Sequence, residues 1–96
     1  MPEQQQIQLK ASDETLKGHY SNMMMVSHTK EEIILDFFNV TAQGGQLVSR
    51  IFTSPGHAKR VLGALADNLK KYEAQFGTVT AAPAPTKDFG FAPPQS

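Results

Sequence analysis

The chain of 96 residues contains no cysteine and no tryptophan. Without thiols, a disulfide scaffold, a thiolate metal site and a cysteine nucleophile are all excluded. Net charge is lacking as well: nine Lys and Arg balance nine Asp and Glu, so no bulk field draws the protein to nucleic acid or anionic lipid. No apolar run approaches the ~18–20 residues that span a bilayer. The residues up to position 17 are polar and offer no apolar core of a secretory signal. These absences predict one small cytoplasmic domain that touches no membrane.

What is present divides the chain into three. Residues 1–17 form a polar arm in which Ile7–Lys10 suits a short edge strand. Residues 18–77 hold nearly all the large apolar side chains. Residues 78–96 carry Pro83, Pro85, Pro93 and Pro94 and too little bulk to offset chain entropy, so a disordered tail is expected. Within it Phe89-Gly90-Phe91 reads either as part of a solvated tail or as a docking segment for a groove on a partner.

The middle section reads as strands followed by a helix. His19–Ser27 is Met-rich and Ser27–Lys30 suits a turn, while Glu31–Thr41 is dense in Ile, Phe and Val. Gln43-Gly44-Gly45-Gln46 suits a tight reversal, and Leu47–Thr53 alternates like a strand. Ser54-Pro55 then offers a helix cap and a first helical residue. Beyond it Ala58, Val61, Leu62, Leu65, Leu69, Tyr72 and Phe76 recur at helical spacing, and Gly77 is placed to end the helix. The expected fold is α+β: an antiparallel sheet of three or four strands, with one long C-terminal helix packed on one face.

The central strand is apolar on both sides, so both faces want cover while the chain offers one helix. A homodimer is the economical answer for about 60 ordered residues. Setting Asp36 opposite Arg50 as a cross-strand ion pair sorts the faces. Ile33, Leu35, Phe37, Leu47 and Ile51 form a first face, expected to take the helix. Asp36, Phe38, Val48, Arg50 and Phe52 form a second, joined by Tyr20 and Asn22 if Ser27 lies opposite Glu31.

No motif names a reaction. His19, His28 and His57 have no metal-ligand spacing, no G-x-S-x-G occurs, and Gly44-Gly45 lacks the spacing of a phosphate loop. No cofactor, metal or catalytic residue is expected. Lys59 and Arg60 sit against the dipole at the start of the helix, which makes them candidate contacts for an anionic partner.

Tyr20-Ser21-Asn22, His28, Ile34-Leu35-Asp36-Phe37, Val48-Ser49-Arg50-Ile51 and Ser54-Pro55-Gly56-His57-Ala58-Lys59-Arg60, continued by Ala64–Glu73, resemble the bacterial domain of unknown function 3467 across residues 18–77. The resemblance implies a small bacterial protein and carries no activity. The predicted topology is also similar to dimeric single-stranded-DNA-binding coactivators, Whirly proteins and Pur-alpha repeats. On that analogy Tyr20, Asn22, Phe38, Arg50 and Phe52 would form a stacking and cation platform. Two readings follow: a non-enzymatic homodimeric interaction module, with an unknown protein as partner, or a single-stranded nucleic-acid binder using the second face.

Overall fold

β-Branched and aromatic residues crowd the middle of the chain, and there the computed structural model, which describes residues 6–83, forms its strands. These are β1 (Met23–His28), β2 (Ile33–Thr41) and β3 (Gly44–Thr53), an antiparallel meander with β2 in the centre. Two helices flank them, α1 (Asp13–Lys17) and α2 (Pro55–Phe76). Ile7–Lys10 forms no strand, so the sheet has three strands rather than four. Instead the Ser12 hydroxyl accepts the Thr15 N–H at 3.1 Å and starts the single turn and a half of α1. A serine followed by Asp13 and Glu14 was the signal for it.

The first hairpin closes through Thr29. Its Oγ1 accepts the N–H groups of Glu31 and Glu32 at 3.2 and 3.1 Å, and its own N–H donates to the Glu32 carbonyl at 2.9 Å. That four-residue loop sets His28 opposite Ile33 and Ser27 opposite Ile34, not Glu31. The register therefore differs by three residues from the expected one, and an odd shift exchanges faces. Met23 and Met25 join Phe38 and Asp36 on the second face, while Met24 and Val26 join Phe37 and Leu35 on the first.

The second hairpin turns on Ala42-Gln43, two residues earlier than expected, and both glycines belong to β3. Of the two, Gly44 takes positive φ, at 123°, where a Cβ would be strained. Asp36 stands opposite Arg50 as anticipated. A bulge then intervenes: Ser49 faces Phe37 and Leu47 faces Phe38, so Val48 is the extra residue. Leu47 is thereby carried from the first face to the second.

α2 begins and ends as its sequence predicts. The Ser54 hydroxyl accepts the His57 N–H at 3.1 Å, Pro55 opens the helix, and the N–H of Gly77, at φ 100°, donates to Glu73. At 1.5 Å per residue the helix is about 33 Å long. The expected packing on the sheet is not found. Ala58 and Val61 in the first two turns are half-buried, but Leu62, Leu65, Leu69, Tyr72 and Phe76 are exposed. The reason is in the spacing: a stripe one or two residues wide cannot blanket a sheet whose exposed apolar side chains are spread over three strands.

The described residues consequently enclose almost no core. Among the described residues, Phe38 at 8 % exposure and Asp36 at 4 % are the buried apolar and charged side chains. The radius of gyration, 17.1 Å, exceeds the roughly 12 Å of a close-packed domain of this length.

Candidate interaction faces

The second face is organised around one ion pair. Arg50 donates from Nε to Asp36 Oδ1 at 2.6 Å and from Nη2 to Oδ2 at 2.9 Å, a two-pronged contact between directly paired strand residues. These hydrogen bonds, outweighing burial, hold the Asp36 carboxyl below the ordinary carboxylate range and raise Arg50 above its own. Acid behaviour follows. A carboxylate with a depressed folded-state pKa contributes stability that is fully present above its unfolded value, about 3.9. That stability drains away as the pH falls through the folded value. Asp36→Asn should lower stability at pH 7 and flatten the pH dependence below pH 4, read by urea unfolding at a series of pH values. An unchanged acid limb would remove the pair from the stability of the fold.

Of the five residues expected to form a platform, Phe38, Arg50 and Phe52 share the second face, and Tyr20 and Asn22 do not. Phe38 lies buried between Met23 and Leu47, with no ring face to offer a base. Arg50 is committed to Asp36. Tyr20 precedes β1 and is largely exposed, outside the sheet. Asn22 works on the backbone: its amide donates to the Val40 carbonyl at 2.9 Å while its Oδ1 accepts the Val40 N–H at 2.8 Å. Its own N–H donates to the Phe38 carbonyl, which also accepts the Ser21 hydroxyl. Ser21 and Asn22 thus clip the start of β1 onto β2, a role that periodicity does not reveal because both are polar residues outside the apolar pattern. Phe52, opposite Ile34, stays exposed on this face.

Lys59 and Arg60 lie on the exposed first turns of α2. His19, His28 and His57 are exposed and separate, and no group of three or more His, Asp or Glu able to hold a metal stands among the described residues. Phe89 and Phe91 lie outside the described residues. Among those described, no helix is long and apolar enough to cross a membrane.

What the chain presents most openly is apolar. The first face shows Met24, Val26 and Ile51 around half-buried Ile33, Leu35 and Phe37, and α2 shows its leucine stripe. Monomers rarely expose apolar surface on this scale; contiguous patches of it mark contact sites.

Comparison with known proteins adds one finding. The family model described as a protein of unknown function, DUF3467, matches residues 1–81, which extends past the middle section to include the polar arm. No curated relative and no solved structure matches the chain.

Proposed function

The chain belongs to the DUF3467 family, and we propose that it is a small non-enzymatic homodimeric interaction module that works in the cytoplasm. The observation that carries this reading is the uncovered apolar surface of α2 and of the first sheet face, set against a core of little more than Phe38. Such a chain gains most of its buried area by association, and a second copy is the partner always at hand. The absence of thiols fits a reducing compartment.

Sedimentation equilibrium across a concentration series tests the first half. A mass twice that of the chain at micromolar concentration is the expected result, and a monomer throughout defeats the reading. The competing account, single-stranded nucleic-acid binding, is tested by fluorescence anisotropy with labelled oligonucleotides at low and near-physiological salt. A balanced net charge and the pairing of Arg50 lead us to expect no saturable, salt-sensitive binding. Binding of that kind, weakened by Phe52→Ala, would replace the interaction module with a nucleic-acid one.

A further inference from the structure

The stripe of α2, exposed from Leu62 onward, has a finer pattern than helical amphipathicity requires. Ala58, Leu62, Leu65, Leu69, Tyr72 and Phe76 are separated by four, three, four, three and four residues. That is an unbroken 3.5-residue repeat, the seam by which one helix packs against another. Beside Val61 and Ala66, its flanks carry the polar Lys59, Asn68, Glu73 and Gln75. Docked on a sheet, those side chains would be desolvated; docked on a second helix, they stay at the wet edge. We infer that the α2 stripe is occupied by α2 of a second copy, running antiparallel, with a two-fold axis through the seam at the level of Asp67. This rests on the homodimer reading and names the surface through which the copies meet.

Direction and register both follow from the side chains. An antiparallel pair centred at residue 67 sets Leu65 against Leu69 of the other copy, Leu62 against Tyr72, and Ala58 against Phe76. Every seam residue then has a partner, and the smallest faces the largest, as filling the space between two helices demands. Sliding one helix by a heptad leaves seam residues unmatched at the ends. A parallel pair would stack Phe76 on Phe76 and Tyr72 on Tyr72 at one end while leaving Ala58 against Ala58 at the other. Charge agrees with the antiparallel choice. Lys59 and Glu73 occupy the same flank, and flanks of one kind meet each other when helices run antiparallel, so each Lys59 comes beside Glu73 of the other copy. Glu73 Oε2 accepts the Val79 N–H at 2.8 Å, which steadies its carboxylate near the end of the helix. The helix dipoles also oppose one another. The placement of Lys59 against the dipole, odd for an isolated helix, is what this pairing requires.

The cysteine-free sequence makes the test direct. Arg60, Asp67 and Ala74 are seven residues apart and lie opposite the seam. Arg60→Cys, Asp67→Cys and Ala74→Cys, made one at a time in the 96-residue chain, each take one nitroxide label, and dipolar electron-spin spectroscopy reads the distance between copies. The shortest distance is expected at 67. Those at 60 and 74 should be longer and similar to each other, because each gains an axial offset of about 21 Å at 1.5 Å per residue. Equal distances at all three sites would mean parallel helices and overturn the inference, as would a steady trend from 60 to 74. A dimeric mass with no minimum at 67 overturns the helix pairing alone. A monomeric mass with no dipolar signal overturns the homodimer reading as well.

Discussion

Leu65→Ala should raise the dimer dissociation constant by about 10³-fold, taking 2 kcal/mol for each of the two leucines removed. The size follows from the position of Leu65 beside the two-fold axis, where it faces Leu69 of the second copy in both halves of the interface. The lower end of the large-to-small range is the right choice because an interface between helices relaxes more freely than a closed core. Within one chain Leu65 is 59 % exposed, so the same change in a monomer should be nearly neutral or slightly favourable, alanine being the best helix former. The two situations differ in kind, and sedimentation velocity against concentration separates them. Unfolding gives a second readout: the wild-type midpoint should climb with protein concentration, as it does when folding is linked to association. An unaltered dissociation constant for Leu65→Ala would mean that the seam faces solvent.

How far the sequence reveals this molecule depends on how local each signal is. α2 was legible to the residue at both ends because Ser54, Pro55 and Gly77 act within one turn of themselves. The Asp36–Arg50 pairing was legible because opposite charges in neighbouring strands have few other places to go. The register of β1 was not. It depends on Thr29 accepting two backbone N–H groups, a turn chemistry that the polar run Ser27–Lys30 does not distinguish from a tighter loop. Three residues of slip carried Tyr20 and Asn22 off the second face and brought Met23 and Met25 onto it. The bulge at Val48 was hidden for the same reason, since apolar alternation looks identical with or without one extra residue.

The larger discrepancy concerns α2 and the sheet. Hydrophobic periodicity reports that a face must be covered and says nothing of which chain covers it. The same stripe satisfies a helix packed on its own sheet and a helix packed on another copy. What distinguishes them is stripe width and the company at its flanks, both readable in the sequence once the repeat is counted at 3.5 residues rather than 3.6. The apolarity of both sheet faces called for cover beyond one helix; among the described residues α2 too leaves its stripe from Leu62 to Phe76 exposed.

Phe38→Ala should cost about 3–5 kcal/mol, as for a buried aromatic truncated to a methyl. No other large apolar side chain among the described residues is as buried, and Phe38 sits in the central strand with Met23 on one side and Leu47 on the other. The bulge at Val48 swings Leu47 onto it, so the side chains of two strands converge on this ring. Small domains hold about 5 kcal/mol or little more in total, so the variant should populate the unfolded state without denaturant, visible as a lost cooperative transition in circular dichroism. Phe38→Leu keeps most of the volume and should cost only about 1–1.5 kcal/mol. That second variant separates the two roles proposed for the ring. A residue that stacks on bases loses its ligand when the π-face is removed, whatever the stability of the fold. A residue that fills a core keeps its function when leucine fills it instead. Phe38→Leu should therefore dimerise with wild-type affinity, and a failure to do so in a folded protein would show that the sheet centre contributes to the interface directly.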